Sequence, residues 1–111
     1  MRFRFDCRVL DALDAACPKM GFGRRQVAAT WLVEQGIERA KRAGDTLVLS
    51  AALPIYKVKN GDPTSKSKRM EFQLAEDDAD YLRLLAIMNT CDAKTVALSL
   101  ILDYLVENEM I

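Results

Sequence analysis

Residues 1–13 are MRFRFDCRVLDAL and residues 70–82 are MEFQLAEDDADYL, and these two stretches decide the fold. They begin a self-match in which the chain, shifted by 69 residues, aligns with itself without a gap. Residues of the same kind recur along this alignment in the pairs Met1/Met70, Phe3/Phe72, Asp11/Asp80, Leu13/Leu82, Val27/Val96 and Leu32/Ile101. The sequence therefore predicts one structural unit used twice, at 1–42 and 69–111, with a connector at 43–68.

Each unit opens with alternating apolar and polar residues, which is the period of a strand buried on one face. The inward positions are predicted to be Met1, Phe3 and Phe5 in the first unit and Met70, Phe72 and Leu74 in the second. The outward positions are predicted to be Arg2, Arg4, Arg69, Glu71 and Gln73. A unit this small cannot close a core alone, so the two units are expected to pair and their strands to form one exposed ribbon.

Two helices are predicted to follow the strand in the first unit. Asp6 is a suitable N-cap for a first helix, which should end near Pro18 because proline removes a helix hydrogen bond. A second helix is predicted over 24–42, with Gly44 as its stop signal. The core candidates on this second helix are Val27, Ala28, Trp31 and Leu32.

The second unit repeats this order. Residues 75–78, Ala-Glu-Asp-Asp, open its first helix, with acidic residues where the helix dipole favours negative charge. The predicted buried stripe of that helix is Ala79, Leu82 and Leu85. Asp92 is predicted to cap a last helix at 93–108, which is apolar around most of its circumference and should lie at the centre of the core. The connector is predicted to contain two strand-like stretches and a turn or flexible loop, at 46–49, 55–58 and 60–65.

The net charge is zero, but it is distributed unevenly along the chain. Residues 1–44 carry a net charge of +4, residues 45–75 carry +2 and residues 76–111 carry −6. One interpretation is that these charges lie on ordinary solvated helix faces. The other is a basic face directed toward phosphate, with an acidic face turned away from it.

The residue inventory excludes most catalytic chemistry. The chain has no histidine, no CxxC pair and no phosphate-binding glycine loop, so no enzyme activity, no metal site and no cofactor is expected. Three scattered cysteines suit a reducing compartment. The N-terminus lacks the apolar core of a signal peptide, and no apolar run reaches the roughly 18 residues of a membrane-spanning helix. A cytoplasmic location without membrane contact is therefore predicted.

Both units resemble ribbon-helix-helix units, the DNA-binding fold of the Arc and MetJ repressors. The resemblance rests on the amphipathic strand, the apolar helix stripe at Val9 and Leu13, the Gly21-x-Gly23 turn and a second helix that opens Arg24-Arg25-Gln26-Val27. It implies an α+β fold, mostly α, in which the two units form an intramolecular pseudo-dimer with a two-stranded antiparallel ribbon and a four-helix core. The tandem design is similar to TraY-type relaxosome accessory proteins of conjugative plasmids.

The resemblance also implies which residues contact DNA. The base-contacting residues of the ribbon would be Arg2, Arg4, Arg69, Glu71 and Gln73. The phosphate-contacting residues at the starts of the second helices would be Gly23, Arg24 and Arg25 in the first unit and Ala93 and Lys94 in the second. An ordinary solvent-facing sheet is the other interpretation of the ribbon, and a plain helix cap is the other interpretation of the second helix start, because Asp92 adds negative charge there.

The function expected from this resemblance is sequence-specific recognition of double-stranded DNA in the major groove. The role would be that of a relaxosome accessory factor in conjugation, with a relaxase as a possible partner, or that of a transcriptional repressor, with homo-oligomers possible on DNA. The alternative is a protein-binding module, such as an inhibitor or adaptor, that does not bind DNA. The zero net charge, Glu71 and the acidic second unit favour that alternative.

Overall fold

A computed structural model of the chain describes residues 2–56 and 67–111. The fold is α+β, as predicted, because helices dominate it and the described strands form one two-stranded antiparallel sheet. The elements in chain order are β1 (Arg2–Asp6), α1 (Cys7–Met20), α2 (Arg25–Arg42), α3 (Leu53–Tyr56), β2 (Ser67–Glu71), α4 (Glu76–Met88) and α5 (Ala93–Glu107). The order strand, helix, longer helix thus occurs twice.

The two strands form a ribbon that is apolar on one face and polar on the other. Phe5 and Phe72 are buried, and their ring centroids lie 6.4 Å apart beneath the ribbon. Phe3 packs against both rings, at 6.3 Å from Phe5 and 5.9 Å from Phe72. Met70 is also buried, so the predicted inward positions are confirmed for these four residues. Met1 lies outside the described residues.

Local capping fixes the start and end of α1. The Asp6 carboxylate accepts a hydrogen bond from the Arg8 backbone N–H at 2.8 Å, which confirms the predicted N-cap. The helix continues two residues past Pro18, and it ends at Gly21 with φ of +79°. Only glycine adopts this left-handed conformation without strain, and the Phe22 N–H donates to the Cys17 carbonyl at 2.9 Å to close the turn.

Helix α5 lies at the centre of the core, as predicted. The residues from Thr95 to Leu102 are all buried, including the Ser99 side chain, whose hydroxyl accepts a hydrogen bond from the Ser50 N–H at 2.8 Å. Helix α2 crosses α5 at Gly36, where an added Cβ would lie 2.6 Å from Leu100 Cδ2. The absence of a side chain at Gly36 therefore permits this close crossing.

The prediction for the buried face of α2 is only partly right. Ala28 and Leu32 are buried, but Val27 is 47% exposed and Trp31 is 37% exposed. The buried stripe contains small residues that allow the helix to approach α5, and it consists of Ala28, Ala29, Leu32, Val33, Gly36, Ile37 and Ala40. Val27 and Trp31 lie at the edge of this stripe, so their assignment to the core is wrong.

The connector packs against the core without forming a strand in its described part. Leu47, Leu49, Ala52 and Tyr56 contact the core cluster, so the expected packing is present. No strand forms at 46–49, and residues 55–56 of the second strand-like stretch belong to the short helix α3, so both strand predictions fail within the described residues. The Ser50 side chain accepts a hydrogen bond from the Ala52 N–H at 3.2 Å, in the turn that leads into α3. Residues 57–58 and the predicted loop at 60–65 lie outside the described residues.

Hydropathy and length give one result about membrane-spanning helices. Within residues 2–56 and 67–111, no single helix is both long and apolar enough to cross a membrane. Helices α4 and α5 meet the length and composition criteria only when taken together, and they are bent by 98° at the break between them.

Candidate nucleic-acid interface

The outer face of the ribbon carries a patch of polar side chains. The register places Arg4 opposite Arg69 and Arg2 opposite Glu71, and all four side chains are exposed. Residues directly opposite each other in an antiparallel pair lie about 4.5–5.5 Å apart, so these four form one continuous patch. Gln73 is exposed but follows the end of β2 at Glu71, so its prediction as a strand residue is wrong. The described ladder ends at the Arg2–Glu71 pair.

Arg2 and Glu71 form an ion pair at this end of the patch. Arg2 Nη2 lies 3.0 Å from Glu71 Oε2, and both side chains are 59% exposed. An ion pair this exposed contributes about 0–1 kcal/mol to stability, so its main effect is on the charge of the surface. The Glu71 carboxylate would repel phosphate if it stood alone, and Arg2 neutralises it.

Positive charge is concentrated at the other end of the patch. Arg4 Nε donates a hydrogen bond to Ser67 Oγ at 3.3 Å. In the part of the chain that the structure describes, no carboxylate lies within ion-pair distance of Arg4, Arg69 or Lys94. These side chains border a groove of about 260 Å³, the cationic groove, which is lined by Arg2, Phe3, Arg4, Arg69 and Lys94. Such a surface attracts anions and guanine acceptor atoms.

A second groove lies between the end of β2 and the first half of α2. It has a volume of about 680 Å³, and we call it the aromatic groove. Its apolar lining is Phe22, Val27, Trp31 and Phe72, and its polar lining includes Arg24, Glu34, Glu71 and Gln73. The Phe22 and Trp31 rings contact each other with centroids 5.8 Å apart. This groove was not predicted, because Trp31 was expected to lie in the core.

The two grooves occupy corresponding places in the two units. The cationic groove contains β1 residues beside Lys94 of α5, and the aromatic groove contains β2 residues beside the start of α2. The self-match with a shift of 69 residues aligns three β1 residues with residues at or just after the end of β2. The pairs are Arg2/Glu71, Phe3/Phe72 and Arg4/Gln73. Corresponding positions therefore carry guanidinium groups on one side and a carboxylate and an amide on the other.

Helix α2 begins with an end that suits an anion. Its N-cap residue, Arg24, makes no side-chain cap hydrogen bond, and Gly23 and Arg24 are exposed. Arg25 forms an ion pair with Asp14 at 3.1 Å. The first N–H groups of a helix lack intrahelical partners and carry partial positive charge, so they attract phosphate. The three phosphate-contacting residues predicted in the first unit lie together at this end.

Helix α5 begins differently. The Asp92 carboxylate accepts hydrogen bonds from the Thr95 N–H at 2.8 Å and from the Thr95 hydroxyl at 2.6 Å, which confirms the predicted N-cap. The helix end therefore already holds a negative charge, which opposes a phosphate. Of the two residues predicted to contact phosphate here, Lys94 lines the cationic groove and Ala93 follows the capping residue directly.

Groups with shifted pKa values lie at structural contacts. Burial, followed by the hydrogen bond that Tyr81 donates to Asp45 Oδ1 at 2.5 Å, raises the pKa of Tyr81 to about 12. Burial also raises the pKa of Asp103, and a hydrogen bond from Ser50 opposes that rise. These contacts join the connector to α4 and α5, the two helices of the second unit.

The cationic groove presents hydrogen-bond donors. Guanidinium and ammonium groups donate hydrogen bonds at the cationic groove, and within residues 2–56 and 67–111 no group of three or more Cys, Asp or Glu side chains is placed to hold a metal ion. Comparison of the chain with family models, curated proteins and solved structures finds no match.

Proposed function

We propose that this protein recognises a specific sequence in double-stranded DNA by placing the outer face of its ribbon in the major groove. The observation that carries the proposal is the exposed Arg4–Arg69 pair on a two-stranded ribbon. The major groove is about 12 Å wide and admits a two-stranded ribbon. Arginine donates two hydrogen bonds to O6 and N7 of guanine, which is the most common specific contact in that groove.

The proposed architecture is a ribbon-helix-helix pseudo-dimer within one chain. Helix α1 begins at Cys7 and helix α4 begins at Glu76, so the two elements are separated by the 69 residues of the self-match. Arg2 pairs with Glu71, which is its own counterpart under that shift. A two-fold axis passing through this pair would relate the two units, as in a ribbon formed by two separate chains.

Contacts to phosphate would fix the position of the ribbon in the groove. The uncapped start of α2 at Gly23 and Arg24 and the Lys94 side chain beside the ribbon supply the positive charge. The acidic start of α4, with Glu76, Asp77 and Asp78 in its first turn, provides favourable charge for its own helix dipole. The two kinds of charge would thus have different roles. The basic groups would contact phosphate, and the acidic groups would stabilise the start of their own helix.

DNA recognition of this kind suits two roles. One is a relaxosome accessory role, with a relaxase as partner, and the other is a repressor role. Both place the protein in the cytoplasm, and both allow several copies to assemble side by side on DNA. The identity of neighbouring genes separates them, because a relaxase gene favours the first role and a regulated operon favours the second.

The proposal is tested by titrating the protein into a fluorescein-labelled duplex of random sequence and into fragments selected from a genomic library, at 50–500 mM salt. Binding should weaken steeply with salt as phosphates are neutralised. Arg4→Ala should weaken binding to a selected fragment by about 1–3 kcal/mol. The matched control is Arg83→Ala, which removes an exposed arginine on α4 that pairs with Asp80. Absence of binding to both kinds of duplex at the lowest salt would overturn the proposal.

A specific observation also supports the alternative of a protein-binding module. The aromatic groove exposes Trp31 and Val27, and the Arg2–Glu71 ion pair lowers the charge of the ribbon beside it. Its occupant would be a protein segment with a large apolar side chain. If this function is correct, duplex DNA does not bind at low salt. A photoreactive group placed at residue 27 should form a crosslink with a protein partner. Trp31→Glu should abolish this crosslink, and Arg69→Ala should leave it unchanged.

A further inference from the structure

The polar positions of the ribbon differ on the two sides of the Arg2–Glu71 pair. On one side the next outward pair is Arg4 and Arg69, and on the other side the chain leaves the described ladder after Glu71, with Gln73 as its next exposed residue. Successive outward positions on a strand lie about 6.6–6.8 Å apart. That spacing corresponds to about two base-pair steps of 3.4 Å, so each side of the ribbon would face different bases.

We infer that the ribbon recognises guanine on only one side of the Arg2–Glu71 pair, through which the proposed two-fold axis passes, and that Glu71 competes with the bases for Arg2. This inference rests on the proposed function. The DNA target is then non-palindromic, with guanine opposite the Arg4–Arg69 pair and no guanine requirement at the mirror position. The register and the ion pair decide which arginines would contact guanine, because the residue types alone do not distinguish the three arginines of the ribbon.

The Arg2–Glu71 geometry supports the second part of the inference. Arg2 Nη2 donates to Glu71 Oε2 at 3.0 Å. The Arg2 guanidinium has five N–H donors and this contact uses one of them, so Glu71 competes with guanine for Arg2 by neutralising its charge and by holding one Nη2–H at the carboxylate. Carboxylate and the O6 and N7 atoms of guanine are all acceptors, so Glu71 itself disfavours guanine at the centre of the site.

The Arg4–Arg69 geometry supports the first part. Like charges directly opposite each other in an antiparallel pair repel, and in the described residues no carboxylate lies within ion-pair distance of either arginine. Guanine acceptors and flanking phosphates would relieve this repulsion. Lys94 adds a further cation at the same groove, whereas the aromatic groove contains two carboxylates, Glu34 and Glu71, beside one cation, Arg24.

The test is selection of bound fragments from a pool of random 20-base-pair duplexes, followed by sequencing, with four forms of the full chain. The native protein should enrich a non-palindromic motif with guanine on one side. Arg69→Ala should reduce the preference for a guanine there by about 5- to 150-fold, as expected for loss of one bidentate contact. Glu71→Gln should add a guanine preference at the centre by releasing Arg2. Arg83→Ala should leave the motif unchanged.

Each outcome separates the inference from the function on which it rests. A palindromic motif with guanine on both sides, or a motif that Glu71→Gln does not alter, would overturn the inference and leave sequence-specific DNA binding in place. Duplex binding without any enriched motif would overturn both the inference and the sequence specificity of the proposed function. Absence of binding to every duplex at 50 mM salt would overturn both. Far-ultraviolet circular dichroism of each variant verifies that it is folded before selection.

Discussion

Arg69 shows how one residue can be unfavourable in the free protein and useful in a complex. It lies opposite Arg4 on the exposed face of the ribbon, where opposed like charges destabilise a strand pair. An apolar or neutral residue would be better for stability at this position. In the proposed complex, guanine acceptors and phosphates would offset this repulsion.

Arg69→Gln is expected to raise the stability of the free protein while weakening its binding to duplex DNA. Removal of one opposed charge should contribute about 0.2–1 kcal/mol, or roughly 1–5 °C in the midpoint of thermal unfolding. The measurement is thermal unfolding by circular dichroism at 20 mM and 500 mM salt. The gain should shrink at high salt because the repulsion is screened. A lower midpoint at 20 mM salt would show that Arg69 stabilises the ribbon.

Asp6 gives a second prediction at the residue scale, concerning pH. The hydrogen bond from the Arg8 side chain holds the pKa of Asp6 below its ordinary value of 3.8. A carboxyl whose pKa is lowered by folding stabilises the folded protein above the ordinary pKa, and this stabilisation is lost as pH falls below 3.8 toward the folded-state value. Asp6→Ala should therefore lower the stability at pH 7 by about 0.5–2 kcal/mol through loss of the N-cap. It should also remove part of the decrease in stability between pH 4 and pH 2.

The measurement is urea unfolding of the native protein and of the Asp6→Ala variant, at pH 7 and between pH 4 and pH 2. Asp6→Asn is the matched variant, since asparagine also caps helices but carries no charge. It should retain most of the stability at pH 7 and should show the same reduced dependence on pH as Asp6→Ala. Equal pH dependence in all three proteins would exclude Asp6 as a contributor to acid unfolding.

At the scale of elements, much of the fold follows from local sequence patterns. The strand alternation predicted the inner and outer faces of the ribbon, and the caps at Asp6 and Asp92 predicted the starts of α1 and α5. Patterns of this kind work because side-chain period and capping are local properties. They failed for Trp31, because the buried face of α2 is set by close contact with α5, which favours small residues over large ones.

The candidate site could be predicted in its residues but not in its pairing. The outward positions Arg2, Arg4, Arg69 and Glu71 were predicted from alternation alone, and their exposure confirms that part. The Arg2–Glu71 ion pair depends on register, which joins residues far apart in the chain and leaves no local sequence signal. The aromatic groove depends likewise on contact between two elements.

Gly36→Ala tests the crossing of α2 and α5. Alanine normally stabilises a helix interior by about 1 kcal/mol relative to glycine. Here the new Cβ would lie 2.6 Å from Leu100 Cδ2 and 3.0 Å from Leu100 Cβ, so α5 or Leu100 must shift. The expected result is a net loss of about 1–3 kcal/mol in the free energy of unfolding in urea.

Two further variants make this result interpretable. Gln35→Ala, at an exposed position of the same helix, should be neutral or slightly stabilising. Leu100→Ala should make Gly36→Ala less destabilising than it is in the native background, because the clashing side chain is gone. A stabilising effect of Gly36→Ala in the native background would show that the two helices can separate at no cost.

At the scale of the whole molecule, the two sequence units share one hydrophobic core. The buried cluster contains Phe5 and Leu13 from the first unit and Leu82 and Leu105 from the second. The connector contributes Leu53 to the same cluster. A sequence that has the pattern of two repeats therefore forms one shared core within the described residues.

Cooperative unfolding is the prediction that follows from the shared core. Val96 of α5 is fully buried, and Val96→Ala should lower the free energy of unfolding by about 2 kcal/mol through loss of two buried carbon atoms and the space they leave. The destabilisation should be the same for both units, although Val96 belongs to the second. Fluorescence of Trp31, the one tryptophan in the chain, follows α2 of the first unit, and circular dichroism at 222 nm follows all helices. Both urea transitions should be single and should shift by the same amount, by about 1 M for a slope near 2 kcal/mol per molar. A biphasic circular dichroism transition, or a Trp31 transition that stays in place, would mean that the repeats unfold independently and that the ribbon joins two separate domains.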